Sequence, residues 1–97
     1  MPAYVIVHET VRDEATFARY RAQVLPTLEA YGAKFLVRGG SFEVLEGALD
    51  AERLVVLEFP GLAQVKAWYN SEAYQKILPL RLESVDSTFV VVEGLAP

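Results

Sequence analysis

The sequence predicts one small α+β domain of βαββαβ order: a four-stranded antiparallel sheet with two helices on one face. Three observations lead there. Four short runs rich in β-branched and aromatic residues are spread along the 97-residue chain. Two stretches between them carry apolar residues at steps of three and four, the period of a helix face. Finally, the whole chain, residues 1–97, is long enough for one thin core and too short for two.

The first strand is expected over Ala3 to His8 (AYVIVH). Asp13 then stands as an N-cap, with Glu14 in the first turn where the helix dipole favours negative charge. Phe17, Tyr20, Val24, Leu28 and Tyr31 mark the buried face of the first helix, and Gly32 sits where a left-handed residue closes it. Pro26 lies inside this helix and is expected to bend it, because proline donates no hydrogen bond and crowds the preceding turn. Lys34 to Arg38 begins a second strand, which is expected to bulge at Gly39-Gly40 and resume over Phe42 to Glu46. Gly47 to Glu52 makes a hairpin loop, Arg53 to Phe59 the third strand, and Pro60-Gly61 its stop. The second helix carries Leu62, Val65, Trp68 and Tyr69. It breaks at Asn70-Ser71, where Ser71 can cap a continuation bearing Tyr74, Ile77 and Leu78. Pro79 is expected to end or bend that piece, and Thr88 to Glu93 forms the last strand.

This order is the split βαβ arrangement of ferredoxin-like folds. One feature goes beyond it. A sheet with one wet face alternates apolar and polar residues, yet Val5-Ile6-Val7, Phe35-Leu36-Val37, Leu54 to Leu57 and Phe89 to Val92 are apolar throughout. Two helices cover one face only, so a second copy is the simplest cover for the other. The 53% apolar content, rich for so small a domain, points the same way to a sheet-to-sheet homodimer.

Formal net charge is −4, and the basic residues are scattered, so neither a nucleic-acid backbone nor an anionic membrane finds a basic stripe to bind. The absence of cysteine removes disulfides, thiolate catalysis and zinc–thiolate sites. No apolar run approaches a membrane span and no leader-like segment opens the chain, which makes the cytoplasm the expected location. Neither a phosphate loop, a dinucleotide fingerprint nor a metal-ligand cluster can be picked out, so no cofactor is expected.

Specific strings then stand out: Tyr31 to Gly40 (YGAKFLVRGG), Glu46-Gly47, Glu58-Phe59-Pro60, Ala67 to Ser71 (AWYNS) with Tyr74, and Arg81 and Glu93-Gly94. In order and spacing they closely resemble the DUF1330 family, over nearly the whole chain. The resemblance implies the dimeric α+β barrel, in which two such sheets face one another. Because the family is a domain of unknown function, it implies no reaction. Its distant barrel relatives include cofactor-independent monooxygenases, lactone isomerases and chlorite dismutases.

Among single residues, Arg38 stands between an apolar strand and Gly39-Gly40, where backbone N–H groups can approach a ligand. A guanidinium in that corner suits a carboxylate or phosphate. It suits equally an ion pair with Glu58, the one acid that interrupts an apolar strand; the other acidic residues read as solvated charge. Arg53 and Glu46 are expected to pair across the hairpin. His8 is the only histidine and can be a general base or an idle residue at a strand end, on the side of Tyr4 and Ile6. Trp68 and Tyr69 diverge by about 100° on a helix, so one can fill core while the other lines a cleft. Tyr74, Tyr20 and Tyr31 are either further core or walls of that cleft. The expected function is a small dimer binding a small organic acid between helices and sheet. The alternative is a cofactor-independent isomerase or monooxygenase acting on a small aromatic or lactone substrate.

Overall fold

A computed structural model describes residues 1–96. The elements run β1 (Ala3–Val11), α1 (Glu14–Glu29), β2 (Lys34–Arg38), β3 (Arg53–Phe59), α2 (Leu62–Tyr69), α3 (Glu72–Ser84) and β4 (Val85–Glu93). The strands form one antiparallel sheet in the order β2-β3-β1-β4. This is the expected βαββαβ plan, with the second helix in two pieces.

Local chemistry explains the helix ends. Asp13 Oδ2 accepts from the Thr16 hydroxyl at 2.7 Å and Oδ1 from the Thr16 amide at 3.1 Å, and those bonds hold the Asp13 carboxyl below its usual range. At the other end Gly32, at φ +73°, lets Ala33 N–H donate back to the Leu28 carbonyl at 3.1 Å. A Cβ on Gly32 would press on the Pro60 ring at 3.0 Å. Ser71 caps α3 by accepting from the Tyr74 amide at 3.2 Å.

Both prolines sit inside continuous helices: Pro26 within Glu14–Glu29 and Pro79 within Glu72–Ser84. Pro79 does not end α3. Each proline denies a donor to the carbonyl four residues back, at Ala22 and at Gln75, and all four residues are exposed. Water can serve those carbonyls, so the helices continue. Buried Ile77, Leu78, Arg81 and Ser84 carry α3 onward until β4 starts without a loop.

The strands differ from expectation in two places. β1 and β4 are longer, because Glu9, Thr10 and Val11 pair with Ser87, Asp86 and Val85. In the other direction, Phe42–Glu46 is not a strand. Arg38 already pairs with Val55, the third residue of β3, and Gly39 (φ +74°) turns the chain away after one more bond to the Leu54 carbonyl. The run beyond it pairs with no strand among the described residues, and Leu45 is 86% exposed. The bulge occurs at Leu36 rather than at the glycine pair.

Helices and sheet enclose one core. Trp68, Tyr74, Phe59 and Leu28 are fully buried at its centre, with the Trp68 and Tyr74 rings 4.0 Å apart. Trp68 Nε1 donates to Thr27 Oγ1 at 3.0 Å, so the largest buried side chain leaves no polar atom unpaired.

Candidate functional site

Every second residue of a strand faces the helical layer, so register decides which side chains reach the space beneath it. On β1 these are Ala3, Val5, Val7 and Glu9, all buried. Pairing sets Leu57 and Val91 beside Val5, Val55 and Phe89 beside Val7, and Arg53 and Ser87 beside Glu9. The face is therefore apolar until it ends in one polar row. On the edge strand Phe35 joins the Leu57 row and Arg38 the Val55 row.

Arg38 reaches that face because of the bulge. Uninterrupted pairing from Phe35 and Leu57 would set Arg38 opposite Leu54, on the outer face. Leu36 is instead an extra residue, pairing resumes with Val37 opposite Val56, and Arg38 meets Val55. The expected Arg38–Glu58 pair does not form. Antiparallel pairing puts Glu58 opposite Lys34 on the outer face, with Nζ to Oε1 at 3.8 Å. The expected Arg53–Glu46 pair is replaced too, since Glu46 leaves with the irregular loop and Arg53 Nε donates to Glu9 Oε1 at 2.7 Å.

Between helices and sheet lies a small cavity of ≈ 40 Å3 that opens to solvent. Its walls are Phe17, Tyr20 and Val24 from α1, Phe35 from β2, Trp68 from α2 and Phe89 from β4. Four guanidinium groups reach it, from Arg21, Arg38, Arg53 and Arg81, against the single carboxylate of Glu9. In a chain of net charge −4 this concentration of positive charge runs against the overall balance.

Each charged group is held differently. Glu9 is 3% exposed and tied to Arg53. The Arg53 guanidinium lies against Gly39, where a Cβ would overlap Nη1, so the left-handed glycine also makes room for this cation. Arg81 is 4% exposed; its Nε donates to the Tyr74 hydroxyl at 3.2 Å and its Nη1 to Ser87 Oγ at 2.8 Å. Its guanidinium also stands 4.8 Å from the Phe89 ring centre. The Tyr74 and Tyr20 hydroxyls share a hydrogen bond at 3.0 Å, and burial pushes both phenols up, so both are neutral at ordinary pH. Arg38 stacks over Phe35 at 4.1 Å and has no carboxylate within 4 Å among the described residues. Partial burial, then the charges of Arg21 and Arg53, pull its pKa below the usual arginine value, which leaves it charged.

The residues singled out in the sequence are thus divided. Tyr20, Arg38 and Trp68 line the pocket, and Tyr74 stands directly behind Tyr20. Gly39 borders it through Arg53, whereas a Cβ on Gly40 would meet nothing within 4 Å. Tyr69 lies in a separate groove between α2 and β4. His8, paired with Leu54 and Thr88, shares the outer face with Glu58 and does not reach the pocket. Glu9, Arg53 and Arg81 were not picked out as site residues, although each has a signal. Glu9 and Arg53 stand two residues from Val7 and Val55 on the same strand face, and Arg81 falls three and four residues after Leu78 and Ile77. No group of His, Cys, Asp or Glu that could hold a metal ion occurs among the described residues.

A family model described as a domain of unknown function, DUF1330, matches this chain over residues 2–95. The chain belongs to the DUF1330 family. No curated protein matches it. Among solved structures, this DUF1330 chain is similar to RPA0582, a protein of unknown function from Rhodopseudomonas palustris. Identity is 20%, TM-score 0.82, covering 99% of this chain and 84% of that one. It is also similar to a dimeric ferredoxin-like protein of unknown function from Jannaschia sp. CCS1, at 14% identity and TM-score 0.71 over 97% and 100% of the two chains. A third is SnoaB, a cofactor-independent oxygenase from Streptomyces nogalater, at 10% identity and TM-score 0.64 over 99% and 95%. At these identities the likeness is one of fold, which is ferredoxin-like.

Proposed function

We propose that this DUF1330 protein is a homodimeric binding domain whose helix–sheet pocket takes a small organic anion, with Arg38 receiving the negative group. The observation that carries the reading is Arg38 itself: a guanidinium without a carboxylate partner, at an aromatic pocket, with two further arginines beside it. Like charges so gathered repel one another, and an entering carboxylate relieves that repulsion while making charge-assisted hydrogen bonds. The aromatic walls supply apolar contact for the rest of the ligand.

Support for the dimer comes from the outer face of the sheet. Tyr4, Ile6, Leu54 and Val56 are only half-buried there, and Val90 and Val92 are 46% and 47% exposed. A second copy offers the same strip by symmetry, and the similar Jannaschia protein is described as dimeric.

Benzoate is a suitable probe for the pocket. Calorimetric titration is expected to show saturable binding of benzoate and none of neutral benzyl alcohol. Arg38→Ala is expected to weaken benzoate binding at least about tenfold, the loss typical of a charged hydrogen bond. Equal binding of both compounds, or an unchanged affinity in Arg38→Ala, would sink the reading. A second reading, a cofactor-independent enzyme, draws on the Tyr20–Tyr74–Arg81 hydrogen-bond chain and the buried Glu9 beside it. Under that reading chemistry in this pocket belongs to those groups, since His8 and Glu58 face away from it. Product analysis after incubation with a bound acid would separate the two, because a binding domain returns the acid unchanged.

A further inference from the structure

Residues 39–52 join two paired strands, yet Gly40 to Ala51 make no backbone hydrogen bond among the described residues. A connection this long without structure of its own is uncommon in a compact domain and is usually functional. Its apolar residues are also badly placed for a life in water. Phe42, Val44 and Leu45 are 39%, 46% and 86% exposed. On an extended backbone Phe42 and Val44 share one side and Leu45 takes the other, so both sides need apolar cover.

The far edge of the sheet has the complementary need. β4 pairs with β1 alone and leaves a free row of backbone donors and acceptors along Phe89 to Val92. Val90 and Val92 on the outer face and Val91 on the helix face are all exposed. Beside that edge runs the open groove between α2 and β4, of ≈ 220 Å3, walled by Val65, Tyr69, Phe89 and Val91. Lys66 also lines it, with no carboxylate within 4 Å among the described residues.

We infer that residues 41–46 form an arm that adds to the β4 edge of a second copy of this chain, with Leu45 in the groove. This rests on the dimer reading above and states how the two copies hold each other. The arm departs from β2, with β3 and β1 between it and β4, so it serves a partner's edge rather than its own. A two-fold axis parallel to the strands lays the β2 edge of each sheet over the β4 edge of the other. Facing sheets stand about 10 Å apart, and residues 40–46 span about 20 Å when extended, so the arm reaches across. Backbone pairing then satisfies arm and edge together. Charge fixes the side. Glu43 and Leu45 share parity, so a Leu45 seated in the groove brings Glu43 to the helix side, where Lys66 stands. Phe42 and Val44 join Val90 and Val92 in the apolar layer between the sheets. Phe89 lines both this groove and the cavity that Arg38 reaches, so the arm of one copy backs the site of the other.

Leu45→Ser alters a side chain that the single chain leaves in water, so the fold itself is spared. Each dimer buries two such leucines, and sedimentation across a dilution series is expected to show Kd raised about a hundredfold or more. The chain has no cysteine, so thiols can be placed without competition. Leu45→Cys combined with Val91→Cys is expected to give a covalent dimer with a short bismaleimide at low protein concentration. Neither single variant is expected to do so. An unchanged Kd in Leu45→Ser, or no covalent dimer from the double variant, would overturn the arm while leaving the dimer standing. An unaltered protein that sediments as a single chain would overturn the dimer reading and this inference together.

Discussion

Individual side chains in this protein are decided by what surrounds them rather than by type. Tyr20 and Tyr74 are the clearest case: two of five tyrosines, joined hydroxyl to hydroxyl and buried beside Arg81. Burial raises both pKa values, so the fold keeps protons that the unfolded chain releases at about pH 10. The unfolded state therefore binds fewer protons above that pH. Stability is complete below it and declines as pH rises past it. A spectrophotometric titration is expected to show these two phenols silent until the protein unfolds, and a smooth ionisation of all five near pH 10 would contradict it. Glu9 and Glu58 make the same point in opposite directions. Glu9 follows the apolar part of β1 and Glu58 interrupts that of β3, but Glu9 falls on the helix face and is buried, while Glu58 falls on the outer face beside Lys34. The expectation of a solvated Glu9 is overturned by its 3% exposure, since alternation with Val5 and Val7 puts it on the buried face, and the choice of Glu58 as the notable acid rested on its apolar neighbours without asking which face they shared.

At the scale of elements, the signals that worked were the short-range ones. Asp13, Gly32 and Ser71 take the capping roles their types suggest, because each satisfies backbone groups within a few residues. Ser71→Ala removes the side-chain acceptor that caps the start of α3 and is expected to cost about 1 kcal/mol. In a domain this size that lowers the melting temperature by about 4–8 °C, and an unchanged melting curve would show that the split between α2 and α3 does not depend on the cap. The prolines and the Phe42–Glu46 run misled for a common reason. Whether a helix survives a proline depends on where the orphaned carbonyl points, and whether an apolar run becomes a strand depends on a neighbour to pair with. Both are facts about surroundings, and local composition does not hold them.

For the molecule as a whole, the four runs that are apolar on both faces account for the two-layer fold and for its unfinished outer surface. Val90 lies at the centre of that surface, opposite Ile6 in the register, and is clear of the pocket. If two copies meet there, Val90→Asp places a charge in an apolar interface and is expected to convert a dimer into a monomer by native mass spectrometry, with unchanged far-ultraviolet circular dichroism. A variant that stays at twice the chain mass would move the interface elsewhere, and an unaltered protein at single-chain mass would remove it.

The sequence alone determined the element order, the capping residues, the antiparallel sheet and its surplus of apolar surface, because these follow from periodicity and from hydrogen bonds between near neighbours. It also pointed to Arg38, Tyr20 and Trp68, though not to the space they share. That was decided by register. One extra residue at Leu36 carries Arg38 from the outer face to the inner one, and the pairing of β1 with β3 and β4 lines up Arg53, Glu9 and Ser87 from three distant segments. Strand parity changes with every inserted residue, so the face on which a charge lands is settled only when the strands are paired.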